Sequence, residues 1–154
     1  MSRPRIELRS CRDQDIDAVL ALWEGVATPR SPTDQPNALR RPIQYDHPDA
    51  LRKCIQHDPG LFLLAWDESR LAGSLMAGWD GWRGTIYRLA VDREYRRMGI
   101  ARRLVEAVEG RLRELGAERV STLVVNDEEP ANTFWRRAGY SPQRRIVRYV
   151  RRLA

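Results

Sequence analysis

Apolar and polar positions along this chain alternate in short stretches and then fall into helical stripes. "RIELR", residues 5–9, alternates and predicts a first strand. In "SCRDQ", which follows, Ser10 or Asp13 can cap a helix that carries Ile16, Val19, Leu20 and Trp23 on one stripe and runs to about Gly25. Five prolines between residues 27 and 48 then exclude continuous helix and predict a long loop, a kind of segment that is usually functional or mobile. A second helix is expected from Pro48 to about Asp58, with Leu51, Cys54 and Ile55 inward, ended by Pro59-Gly60. "LFLLAWD" and "RLAGSLMAGWD", separated by "ESR", read as neighbouring antiparallel strands. "WDGW" reads as a hairpin turn leading into a strand "GTIYRLAVD".

From Gly99 the apolar residues Ile100, Leu104, Val105, Val108, Leu112 and Leu115 form a helical stripe closed by Gly116. "RVSTLVVN" predicts a buried strand, "PANTFWRRAG" a short helix with Pro130 in its first turn and Gly139 past its end, and "RRIVRYVRRL" a terminal strand. No internal repeat or linker interrupts this order. A length of 154 residues suits one domain, residues 1–154. No run approaches the roughly 20 apolar residues of a spanning helix and the start lacks a secretory stretch, so the expectation is a cytoplasmic protein without a membrane partner. Two distant cysteines, Cys11 and Cys54, fit a reducing compartment. His47 and His57 have no metal-ligand company, and no metal is expected.

The net charge is +6, and Lys53 is the sole lysine among 27 basic residues. Arginine forks match phosphate oxygens, although GC-rich codon usage explains the bias equally simply. The 21 acidic residues are spread through the chain, which makes nucleic acid a minority partner. The stretch "REYRRMGIARRL" sharpens the question. A buried strand, a basic turn with one glycine and the start of a helix make an anion site, because the first helical N–H groups lack partners. Gly99 permits close approach to the backbone, and Arg96, Arg97, Arg102 and Arg103 surround it. A Walker loop and a dinucleotide fingerprint both require glycines that are absent here. Arg111 and Arg113 read as a solvated helix face.

"RRMGIA", Arg96 to Ala101, resembles the R/Q-x-x-G-x-G/A signature of GNAT superfamily N-acetyltransferases. The preceding "YRLAVDREYR" resembles that family's central strand and turn, and "FWRRAGY" its second signature, with order and spacing agreeing from about Ile6 to Leu153. The resemblance implies an α+β fold with a mixed, mostly antiparallel sheet flanked by helices. It implies acetyl-CoA as donor, with its pyrophosphate on the amides of Arg97, Met98, Gly99, Ile100 and Ala101. Arg102 or Arg103 would meet the 3′-phosphate, and main-chain groups of Leu89, Ala90 and Val91 the pantetheine arm. Asn126 and Asn132 would flank the arm's other side; capping of local backbone is the alternative for both, and an equal one for Asn126. A homodimer through C-terminal strands is a further analogy.

The family's usual base, a Glu opening the central strand, is replaced by Thr85, and its usual acid, a Tyr, by Trp135. An amine of pKa about 10 must lose a proton before it attacks. Asp80, Glu24 or Asp92 can serve through water, while Asp80 is also a natural turn former. An indole does not transfer its proton, so Tyr87 or water is left to protonate the thiolate, itself a fair leaving group at a thiol pKa of about 8.5. Trp23, Trp79, Trp82 and Tyr87 are candidates for the acceptor pocket and Trp135 for the donor site, against the bland reading of aromatics as packing. Two other functions stay open on the sequence: a non-catalytic acyl-CoA module and a nucleic-acid surface on the basic tail.

Overall fold

The structure, a computed structural model, describes residues 3–26, 47–124, 129–149, 151 and 153. The chain falls into two compact units, Met1–Thr122 and Leu123–Ala154. The proline-rich loop expected before Pro48 lies outside the described residues over positions 27–46, and so does Asn126.

The first unit is built from β1 (Ile6–Ser10), α1 (Ile16–Val26), α2 (Pro48–His57), β2 (Phe62–Asp67), β3 (Arg70–Trp79), β4 (Gly84–Val91), α3 (Ile100–Leu115) and β5 (Val120–Thr122). The strands lie side by side in chain order as one sheet. The first three pairings are antiparallel and β4–β5 is parallel, which gives the mixed, mostly antiparallel α+β sheet. Two register shifts mark extra residues, Ala72 on β3 opposite Ala65/Trp66 and Tyr87 on β4 opposite Met76/Ala77.

Helix ends follow from local chemistry. The entry to α1 is held by neither Ser10 nor Asp13: the Asp15 carboxylate accepts the Arg12 amide at 2.8 Å and two Arg9 nitrogens at 2.6 and 2.9 Å. That one acid closes the helix start and ties it to β1. Pro48 occupies the opening turn of α2, and His47 Nδ1 accepts from the Asp49 amide. Gly116, at φ 100°, ends α3 with the amides of Gly116 and Ala117 returning to the carbonyls of Arg113 and Leu112.

The alternation of β3 assigns the layers. A Cβ on Gly73 would lie 3.1 Å from Ile100 and 3.3 Å from Leu104, both on α3, whereas its neighbour Ser74 accepts a 2.8 Å hydrogen bond from the Trp23 indole on α1. Successive strand residues face opposite ways, so α1 and α3 cover opposite faces of the sheet. On the α1 side Ile16, Val19, Leu22 and Trp23 pack with Leu51, Phe62, Leu64, Leu71 and Ala90. The stripe expected on α1 thus holds, with Leu22 more deeply placed than Leu20. On the other side Ile100, Leu104, Val105, Val108 and Leu112 are buried, each worth ~1.5–3 kcal/mol of transfer free energy.

In the second unit α4 (Glu129–Arg137) ends at Gly139, φ 94°, with the Gly139 and Tyr140 amides bonded to the carbonyls of Arg136 and Trp135. The expected terminal strand is absent among its described residues: Arg144 to Tyr149 form no strand. Ile146 and Val147 are adjacent and so cannot share a strand face, and both are exposed, as is Tyr149 at 92 %.

Two consequences are measurable. Ser74→Ala should leave the buried Trp23 N–H without a partner and lower unfolding stability by ~1–3 kcal/mol, read by denaturant melts; Trp23→Phe added to it should cost less than the two single changes summed. Arg9 hydrogen bonding holds the Asp15 carboxyl below its ordinary range. A depressed native pKa adds stability above the unfolded value of about 3.9, lost as pH falls through the native one. Asp15→Asn should therefore destabilise at pH 7 by roughly 1–3 kcal/mol and progressively less below about pH 3.9.

Candidate functional site at the β4–α3 junction

The centre of the sheet opens at one end because β5 is short. It pairs with β4 over Gly84–Ile86, and Thr122 Oγ1 closes the pairing on the Ile86 carbonyl at 3.1 Å. Beyond Ile86, β4 has β3 as its strand partner and none on the other side among the described residues of this unit. The Asp92 amide donates to Ala72 across β3 at 2.9 Å. By the period of the strand, Ala90 turns its backbone polar groups toward β3, while those of Leu89 and Val91 face the side β5 has left. Of the three residues expected to offer main-chain groups, these two present them outward.

The chain then passes through a 3₁₀ turn, Arg93–Tyr95, and enters α3 through Gly99 at φ 77°, in the left-handed region. A Cβ on Gly99 would meet nothing within 4 Å, so the space before the helix is open. Among the described residues no side chain caps this helix start. The first intrahelical bond runs from the Arg103 amide to the Gly99 carbonyl at 3.1 Å, and the amides of Ile100, Ala101 and Arg102 precede it. They are the free donors, at the positive end of the helix dipole, that an anion needs.

The arginines divide. The side chains of Arg96 and Arg97 are exposed and have no hydrogen-bond or ion-pair partner among the described residues, and the same holds for Met98 between them and Gly99. Arg97 is held at φ 62°, a conformation costing a residue with a Cβ ~1–2 kcal/mol. Arg102 bonds Glu106 at 2.9 Å, and Arg103 reaches the Ile6 carbonyl of β1 at 3.2 Å. The latter two have other partners before any ligand arrives.

The loop is anchored by side chains that the sequence pattern did not single out. Tyr95, 8 % exposed, donates its hydroxyl to Asp67 at 2.9 Å. Arg70 lies 5.1 Å from the Tyr95 ring centre and pairs with Asp92 at 3.1 Å and Glu94 at 2.5 Å. Asp92 Oδ1 accepts the Glu94 amide at 2.9 Å. These residues come from the β2–β3 turn and the β4–α3 connection, and their separation of 22 to 28 positions along the chain hid the cluster.

Asp80 forms the β3–β4 turn: one carboxylate oxygen accepts the amides of Trp82 at 2.8 Å and Arg83 at 2.5 Å. Those bonds hold its carboxyl below the ordinary range, which makes it a weaker base. Thr85 is paired on both sides, with Gly78 and Ser121. Tyr87, 61 % exposed, stands at the β4 bulge with its ring beside Gly78. Trp82 is 70 % exposed, its ring covered by the Arg83 guanidinium at 4.5 Å; Trp79 is half-buried at the end of β3. Trp23 is 3 % exposed, parallel to Phe62 and under Arg88, a core residue rather than an open pocket wall. Glu24 is exposed on α1.

In the second unit Trp135 is buried, edge-on to Phe134 and Tyr140 at 5.1 and 4.8 Å. Asn132 lies on α4 and has an interaction of its own. Among the described residues no cluster of His, Cys, Asp and Glu could hold a metal ion, and no helix is long and apolar enough to cross a membrane.

The acetyltransferase (GNAT) family matches the chain over residues 22–140. An acetyltransferase of Sodalis glossinidius is 32 % identical over 148 residues, 96 % of either chain, and one of Pectobacterium atrosepticum is 33 % identical over 135 residues, 88 % of this chain and 87 % of the other. Among solved structures, the PaiA N-acetyltransferase of Thermoplasma acidophilum in complex with coenzyme A superposes with a TM-score of 0.69 at 18 % identity, covering 86 % of this chain and 87 % of that one. A strand that loses its neighbour, a basic left-handed turn and an uncapped helix thus lie inside a matched region that spans most of the sequence, and the chain belongs to the GNAT acetyltransferase family.

Proposed function

We propose that the β4–α3 junction binds the pyrophosphate of acetyl-CoA and that the acetyl group passes to a primary amine of a small molecule or protein. Acetyl transfer from acetyl-CoA is the activity of the family; the placement of the donor and the nature of the acceptor are our reading. The observation that carries it is the start of α3 behind Gly99, uncapped among the described residues and flanked by Arg96 and Arg97, whose side chains have no partner among them. Amides of Arg97 to Ala101 hold the phosphates, and the outward groups of Leu89 and Val91 hold the pantetheine arm. Arg102 or Arg103 reaches the 3′-phosphate after exchanging its present partner. The match at residues 22–140 runs through both units, which supports one acyltransferase domain.

The reaction is written as direct attack. The amine lone pair forms a C–N bond to the acetyl carbon, the carbonyl oxygen takes negative charge beside an outward amide of β4, and the C–S bond breaks to release the thiolate. The nitrogen's proton passes to water. Tyr87 at the bulge is the assigned proton donor to sulfur, and Trp79, Trp82 and Tyr87 border the acceptor. Asp80 contributes the turn, with water as the base.

Three measurements bear on this. Release of free thiol from acetyl-CoA should depend on an amine from a primary-amine panel, and no release with any amine would contradict catalysis. Arg96→Ala with Arg97→Ala should raise KM for acetyl-CoA about tenfold or more with kcat little changed. Asp80→Asn keeps an oxygen for the turn amides and removes the charge, so kcat/KM should fall less than about threefold; a loss of ~100-fold or more would identify Asp80 as the base.

A further inference from the structure

The start of α3 can hold an anion in a fixed place only if the turn before it is itself fixed. Two features of that turn oppose this. Arg97 occupies the left-handed region at φ 62°, which a residue with a Cβ leaves unless its surroundings hold it there. Asp92 and Glu94 stand just before the arginines, and two free carboxylates there would repel a pyrophosphate.

Both problems meet one side chain on another hairpin. Arg70, at the start of β3, pairs with Asp92 at 3.1 Å and Glu94 at 2.5 Å, and lies over the Tyr95 ring. Tyr95 is buried and fastened by its hydroxyl to Asp67, the last residue of β2, at 2.9 Å. The β2–β3 turn between them is tight, with Glu68 at φ 53°. Among the described residues the charged groups of these two segments are Asp67, Glu68 and Arg70 on the hairpin, and Asp92, Arg93 and Glu94 on the loop; Asp67, Asp92 and Glu94 are the ones that act on Arg70 or Tyr95. Arg93 is exposed and unpaired among the described residues.

We infer that Arg70 and Tyr95, with Asp67, are positioning residues for the donor site: they clasp the β4–α3 loop to the β2–β3 turn and cancel its two carboxylates, so that a coenzyme pyrophosphate meets fixed amides and an unopposed positive charge. The inference rests on the proposed placement of the donor at this junction. The clasp makes no contact of its own with the phosphates. Its work is to hold Arg96 to Gly99 in the one conformation that presents the helix start.

Calorimetric titration with coenzyme A, which needs no acceptor, tests this on the full chain. Arg70→Ala should weaken coenzyme A binding about tenfold or more, and Arg70→Lys should recover to within about threefold of the unmodified chain. Tyr95→Phe, which keeps the ring, should weaken binding about three- to tenfold. Arg52→Ala, which removes an exposed pair with Asp13 and Asp49 far along the chain, should leave affinity unchanged and serves as the stability control. With an accepted amine, the loss should fall on KM for acetyl-CoA and leave kcat within about twofold. Equal affinity of Arg70→Ala, Tyr95→Phe and the unmodified chain overturns the clasp while leaving the donor site in place. A change in kcat at constant KM overturns it too. If Arg70→Ala does not fold, Tyr95→Phe and Arg70→Lys decide. Failure of the unmodified chain to bind coenzyme A overturns the proposed placement of the donor as well.

Discussion

Backbone donors left unpaired at the surface of a fold are met by water or by a ligand, and among the described residues of the first unit such groups come together at the end of β4 and the start of α3. The amides that open α3 and the outward groups of Leu89 and Val91 both exist because neighbouring structure stops early: β5 ends at Thr122, and Gly99 offers no cap. The rest of the first unit serves to keep those groups where they are. α3 is pressed on the sheet by Ile100, Leu104, Val108 and Leu112, and Gly73 lets its first turn come close to β3. Shifting α3 by one turn would remove the site without removing any of its residues.

The opposite face has a different role. The Trp23–Ser74 bond and the Arg9–Asp15 pair fix α1 against the sheet and against β1. Neither reaches the α3 amides. They stabilise the sheet whose other face carries the helix, so their loss should be felt in stability before it is felt in binding.

Much of this was legible in the sequence, for physical reasons that differ by element. Local signals read well: the α3 stripe from Ile100 to Leu112 before the Gly116 stop, with Leu115 exposed rather than inward, the Asp80 turn, and the "RRMGIA" turn into a helix are each written within a few residues. Asp15 was missed as the α1 anchor because its partner Arg9 is on a strand. The clasp of Arg70, Tyr95 and Asp67 was missed because it joins segments that only the sheet brings together. Trp23 was expected at a pocket and lies in the core, since an indole with its N–H satisfied packs as readily as it binds. The tail "RRIVRYVRRL" has strand-forming residues without strand alternation, and its described residues form none. The acceptor is the least legible feature: its candidate neighbours Trp79, Trp82 and Tyr87 stand at a strand end, a turn and a bulge, where side chains carry little periodic code.

The central claim is that the amides at the start of α3 receive the donor's pyrophosphate. Residue-resolved hydrogen exchange with and without coenzyme A tests it at those atoms. Slowed exchange at Gly99, Ile100 and Ala101, with slowing also at Leu89 or Val91 and no change at the end of α3, is the expected result. Coenzyme A binding that leaves those amides exchanging as before, or that protects another surface instead, would contradict it.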